Sequence, residues 1–183
     1  MRAIFNFFLQ MTAHKLLVNE QIYQEIFNKH LLLAEKSVLI ATANVKNIFI
    51  KKNREYISIV QIFKELCNND IYVSLLFSSE PSQSFLDELH KLKLYKNKNF
   101  YLTKCPRTHF KCVIIDDKIA YTGSANLTGA GIGAKSIYKR NFEIGFMTDE
   151  KNVIQNMIEI FMRITERKEC GGCKRKEFCS EII

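Results

Sequence analysis

Two prolines and seven glycines in 183 residues leave no room for a long flexible linker, and neither an internal repeat nor a low-complexity tract interrupts the chain. No stretch reaches the roughly 20 consecutive apolar residues that a membrane-spanning helix needs. The opening MRAIFNFFLQMTAHK comes nearest, but Asn6 and Gln10 break it and it lacks a small-residue cleavage site. It reads as a first strand or docking segment, not a secretory leader. These absences point to a cytoplasmic protein with no stable membrane insertion. What is present fits one globular domain: 47% hydrophobic residues and 25% charged residues. Twenty-seven Lys and Arg against 19 Asp and Glu leave a net charge of +8, spread along the chain, which favours capture of a polyanion.

Hydrophobic spacing divides the chain into alternating helices and buried strands. Asn19 to about Glu35 has helical spacing, with Ile22, Tyr23, Ile26, Phe27, His30 and Leu31 on one face and Asn19 placed to cap it. SVLIATA (37–43) and IYVSLLF (71–77) are continuous apolar runs of strand length, the pattern of strands covered on both faces. Ile59, Val60, Ile62, Phe63, Leu66 and Cys67 predict a helix ending at Asn68-Asn69-Asp70. Ser79-Glu80-Pro81 is a helix-start signal ahead of Phe85, Leu86, Leu89 and Leu92. Three short strands follow in quick order, at 99–103, 110–116 and 118–123, with a tight hairpin turn at Asp116-Asp117-Lys118. NFEIGFM (141–147) predicts another strand. From Thr148 to about Lys168 runs a helix striped by Val153, Ile154, Met157, Ile158, Phe161 and Ile164. The expected architecture is an α/β sandwich, a mixed β-sheet flanked by helices. It forms a single domain over residues 1–168, with a cysteine-rich tail at 169–183.

The segment THFKCVIIDDKIAYTGSANLTGAG concentrates the chemistry. His109 and Lys111 are two residues apart, so on a strand they share a face. Ser124 and Asn126 repeat that spacing at the end of the next strand. Two adjacent antiparallel strands can then present an imidazole, an ammonium, a hydroxyl and an amide to one pocket. That set suits a phosphodiester: a neutral imidazole is a nucleophile at neutral pH, and a lysine with two neutral donors holds the non-bridging oxygens. No carboxylate cluster of the kind that holds Mg²⁺ accompanies them, so metal-independent chemistry is expected. Taken singly, His109 is an ordinary sheet histidine, Lys111 a solvated side chain and Gly123-Ser124 a turn. The combination at fixed offsets carries the reading. Asp116, by contrast, reads as a turn residue that bonds backbone.

The order His109-x-Lys111, four residues, Asp116, then Gly123-Ser124-x-Asn126 resembles the HKD signature of the phospholipase D superfamily. The order of flanking strands and helices is compatible with that family over most of the chain. The resemblance implies that the histidine attacks phosphorus to form a phosphohistidine. A second histidine, from a second copy of the motif, protonates the leaving oxygen, and water then releases the product. His14, His30 and His90 are not followed by lysine at the required offset, so the chain has one copy. The resemblance therefore implies a homodimer with two copies of His109 at its two-fold axis, as in the small single-motif nucleases of the family. It also implies a glutamate that holds the histidine ring, for which Glu143 is the match. The glycine-rich loop Leu127–Arg140 carries three basic residues suited to substrate phosphates. The expected function is a nuclease, on DNA before RNA. A cardiolipin-type lipid phosphodiesterase and a non-catalytic nucleic-acid-binding protein of the same fold are the alternatives.

Cys170, Cys173 and Cys179 are spaced C-x2-C-x5-C around Gly171-Gly172. Three thiols cannot all pair with one another, and ligation of a metal or cluster is the natural reading in a reducing compartment. A fourth ligand is then needed. Cys105 is the first choice and Cys67 the second, while Cys112, facing away from Lys111, reads as core. The triplet with a distant lone cysteine resembles, in spacing only, the iron–sulfur staple of some DNA-processing nucleases of a different fold. A structural [4Fe–4S] cluster and zinc are both left open.

Overall fold

A computed structural model describes residues 14–179. Of the opening segment, only His14 and Lys15 are among the described residues, and they begin a strand. The strands are β1 (His14–Val18), β2 (Ser37–Thr42), β3 (Phe49–Lys52), β4 (Glu55–Ser58), β5 (Tyr72–Phe77), β6 (Phe100–Lys104), β7 (Lys111–Ile115), β8 (Ile119–Gly123) and β9 (Ile144–Thr148). Seven of them form one mixed sheet in the order β1-β9-β8-β7-β2-β5-β6. β2 is an interior strand, parallel to β5 on one side and antiparallel to β7 on the other, and all six of its residues are buried. An uninterrupted apolar run requires that position.

The expected first helix is present as α1, a turn at Glu20–Ile22 that widens into π winding over Tyr23–His30 and tightens at Leu31–Leu33. Asn19 does not cap it. Its backbone is left-handed (φ 51°), and its side-chain oxygen accepts instead from the Glu143 N–H at 3.0 Å. α2 (Ile59–Asn68) is capped by the Ser58 hydroxyl, which accepts from the Gln61 N–H at 3.1 Å. α3 (Gln83–Lys91) starts later than Pro81 suggests, because Ser82 is still extended and its hydroxyl accepts from the Asn47 N–H. α4 (Lys151–Thr165) is capped by the Glu150 carboxylate.

Two strand expectations are corrected. β6 does not belong to a hairpin cluster; it pairs in parallel with β5 at the sheet edge, and only β7 and β8 form the expected hairpin. A separate hairpin, β3–β4, was not anticipated. Its lysines and exposed tyrosine carry no clean apolar alternation.

The sheet's two faces are covered unequally. α1, α2 and α3 bury Ile22, Ile26, Phe27, Ile59, Phe63, Phe85 and Leu89 against one face. Among the described residues α4 alone covers the other, setting Ile154 and Phe161 on Leu39, Ala41, Leu76, Cys112, Ile114 and Ala120. Phe161 is fully buried, which stabilises the fold by roughly 2–3 kcal/mol. Beyond α4, towards the β1 edge, Leu16 pairs with Phe146 and Val18 with Ile144. Those four side chains are 38–52% exposed. Among the described residues no helix is long and apolar enough to cross a membrane.

Candidate active site

The β7–β8 hairpin is fastened to both ends of β2 by side chains of the motif. Asp116 and Asp117 take the two left-handed positions of the turn (φ 57° and 56°). The Asp116 carboxylate then accepts from the backbone N–H groups of Glu35 (3.0 Å), Lys36 (2.7 Å) and Ser37 (2.9 Å), where β2 begins. At the far end of β2, the Asn126 side-chain oxygen accepts from the N–H groups of Ala43 and Asn44, both at 3.1 Å, and from the Thr42 hydroxyl at 3.2 Å. Thr42 returns the contact by accepting from the Leu127 N–H at 3.0 Å. With its oxygen engaged, Asn126 keeps its NH₂ as the donor available to an anion.

That second end gathers the chemical groups. Lys111 pairs with Gly123 across the hairpin, so the chain entering β7 and the chain leaving β8 meet at one end of the sheet. It is also the end where β2 and β5 finish, the usual place for a ligand in such sheets. His109 is not on the strand, contrary to the expectation from its spacing. The β2–β7 ladder stops at Ala41–Cys112, and β7 begins only at Lys111. The link between the two residues is instead a hydrogen bond, the Lys111 ammonium donating to the His109 carbonyl oxygen at 2.7 Å. Lys111 is buried, while His109 and Ser124 are exposed, so an anion can reach the group.

Ser124 lies just past β8. Its hydroxyl donates to the Glu143 carboxylate and accepts from the Ile144 N–H at 3.1 Å. Glu143 lies just ahead of β9 and not within it. Its other oxygen accepts from the Asn141 amide at 3.0 Å. Within one chain the carboxylate thus serves Ser124 and Asn141, not the His109 ring as the resemblance implied. Gly123 faces Gly145 across β8–β9, and a Cβ on Gly123 would lie 2.5 Å from the Tyr121 hydroxyl and 2.6 Å from the Ile144 carbonyl oxygen. Glycine is required there by space. Burial pushes the Tyr121 hydroxyl up to about 12, and the nearby Glu143 charge adds to the shift, so it stays protonated.

The loop 127–140 runs beside this end and closes on α1. Gly133 (φ +80°) approaches the Asn19 carbonyl oxygen so closely that a Cβ would sit 2.5 Å from it. Of the three basic residues, Arg140 pairs with Glu20, whereas Lys135 and Lys139 are exposed. Tyr138 and Phe142 are both 95% exposed. Sequence reasoning passed over these two aromatics. The available signal was their alternation with lysines in a loop, where no core claims them.

Cys105, Cys170, Cys173 and Cys179 line one hollow of about 460 Å³. Cys67 and Cys112 do not. The first lies on the buried face of α2 itself and the second is packed under α4, and burial pushes each thiol up to about 12. Cys67 is thereby removed as a fourth ligand, and Cys112 is core.

The fold and motif can be set beside known proteins. The family model of the PLD-like domain of cardiolipin synthase matches residues 27–165, well over half of the chain. The chain belongs to the phospholipase D superfamily. Comparison with curated proteins finds no match. Among solved structures, NucT from Helicobacter pylori is 20% identical with a TM-score of 0.61, over 84% of this chain and 95% of that one. Nuc from Salmonella typhimurium, a phospholipase D family member, is 13% identical with a TM-score of 0.55, over 81% and 92%. TrmBL2, an archaeal chromatin protein described as binding DNA in a novel mode, is 13% identical with a TM-score of 0.56, over 89% and 55%. At these identities the likeness is one of fold.

Proposed function

We propose that this phospholipase D-like protein is a nuclease that hydrolyses phosphodiester bonds through a phosphohistidine on His109, working as a homodimer. The observation that carries the reading is the meeting of His109, Lys111, Ser124 and Asn126 at one open end of the sheet. An imidazole nitrogen of His109 attacks phosphorus, forming a P–N bond as the P–O bond to the leaving group breaks. The ammonium of Lys111, the hydroxyl of Ser124 and the NH₂ of Asn126 hold the non-bridging oxygens as their charge grows. His109 of a second copy gives its proton to the leaving oxygen. It then takes one from the water that breaks the P–N bond and frees the phosphate product. One chain supplies one such histidine. Among the described residues Leu16, Val18, Ile144 and Phe146 form an exposed apolar strip, a surface on which a second copy can pack.

Nucleic acid is favoured over lipid by the net charge of +8 and by the segment 135–142, in which exposed Tyr138 and Phe142 alternate with Lys135 and Lys139. Bases stack on such aromatics while lysines hold the backbone, and DNA is the first substrate to test. A bis-nitrophenyl phosphate assay in excess EDTA tests the chemistry. Turnover that persists in EDTA and disappears in His109→Ala is expected, and a requirement for added Mg²⁺ refutes the mechanism. Parallel assays on single-stranded DNA, duplex DNA, RNA and cardiolipin vesicles separate the substrates. Cleavage of cardiolipin alone would replace the nuclease by a lipid phosphodiesterase. Nucleic-acid binding without any cleavage would leave a binding protein of the same fold.

A further inference from the structure

The tail is bound to the loop that delivers His109. Arg107 donates to the Glu169 carbonyl oxygen at 3.2 Å, and Arg175 returns a bond to the Pro106 carbonyl oxygen at 3.2 Å. These contacts place Cys105, at the end of β6, across one hollow from Cys170, Cys173 and Cys179. The tail's local turns suit thiolate ligation. The Cys173 N–H donates to the Cys170 carbonyl oxygen at 3.3 Å, Gly172 takes a left-handed φ of +67°, and the Arg175 N–H points at the Cys173 sulfur at 3.5 Å. Backbone N–H groups aimed at sulfur are the usual support of a metal-bound thiolate.

The spread of the thiols favours one of the two groups that four cysteines can hold. Zinc requires its sulfurs at about 2.3 Å from one point. Among the described residues no three His, Cys, Asp or Glu side chains come together closely enough to hold a single ion. The four thiols stand instead around a hollow of about 460 Å³ whose other walls include Phe110 and Ile164, with Arg107 and Lys176 at its side. A cluster of several irons and sulfides separates its four thiolates more widely than one ion does, and its net negative charge is balanced by such cations. We propose that Cys105, Cys170, Cys173 and Cys179 ligate a [4Fe–4S] cluster that fastens the C-terminal tail to the Cys105–Thr108 segment immediately before His109. Its role is structural: it holds the approach to the nucleophile from a site outside the phosphate pocket.

The test uses the full chain purified without oxygen. The expected result is a brown protein whose visible absorption bleaches with dithionite and which contains about four irons and four acid-labile sulfides per chain. Serine substitution at Cys105, Cys170, Cys173 or Cys179 should each remove most of the iron, while Cys67→Ser and Cys112→Ser retain it. His109→Ala should keep the full iron content, so the cluster and the phosphodiesterase chemistry stand or fall separately. Stoichiometric zinc in a colourless protein overturns the proposal. So does a disulfide within the tail of the anaerobic protein, or wild-type iron content in Cys105→Ser and Cys170→Ser.

Discussion

The two ends of β2 use the same device for different purposes. At its start Asp116 closes the β7–β8 hairpin onto three backbone N–H groups, and no other group of the motif is near. At its end Asn126 makes an equivalent clamp with its oxygen, but at the end of the sheet that also carries His109, Lys111 and Ser124. Strand β7, five residues long, separates the ends by roughly 16 Å. On the proposed mechanism, the family motif thus contains one residue that only builds and one that builds and also binds phosphate.

Substitutions that break this contrast should differ in kind. The largest effect is expected for His109→Ala, which removes the nucleophile and should lower turnover of a simple diester by more than about 10³-fold without altering the urea midpoint. Lys111→Ala should cost about 10²–10³-fold. Asn126→Asp should cost at least as much while keeping most of the stability, because the oxygen that holds Ala43 and Asn44 survives while the NH₂ donor is replaced by a negatively charged oxygen. Full activity in Asn126→Asp would show that the residue only builds. Asp116→Ala should do the reverse. Three backbone donors lose a charged acceptor, so about 3 kcal/mol of stability should disappear in urea titration while kcat stays within a few-fold of wild type. The smallest effect is expected for Tyr138→Ala with Phe142→Ala, which should weaken single-stranded DNA binding about tenfold and leave diester turnover unchanged.

The same contrast separates what was legible in the sequence from what was not. The turn role of Asp116 followed from its place between two apolar runs, and β2 and β5 followed from burial on both faces, which leaves a continuous apolar signature. His109 was misplaced because a spacing of two residues specifies a face only if the strand reaches both, and the ladder ends before it does. Glu143 was matched by resemblance to the residue that holds the histidine ring, and its bonds to Ser124 and Asn141 within one chain could not be read from that resemblance. β6 gave no hint of its partner, since parallel pairing depends on where α3 returns the chain and not on the strand's own composition. Asn19 was read as a helix cap because cap residues also suit other backbone donors, and Glu143 supplied one 124 positions away.

The claim that His109 is the covalent nucleophile is tested most directly by mass analysis of enzyme quenched in base during turnover, since phosphohistidine survives base. The account predicts a phosphoryl adduct on the peptide containing His109 in the wild-type protein and none in His109→Ala. An adduct on another residue, or continued turnover by His109→Ala, would contradict it.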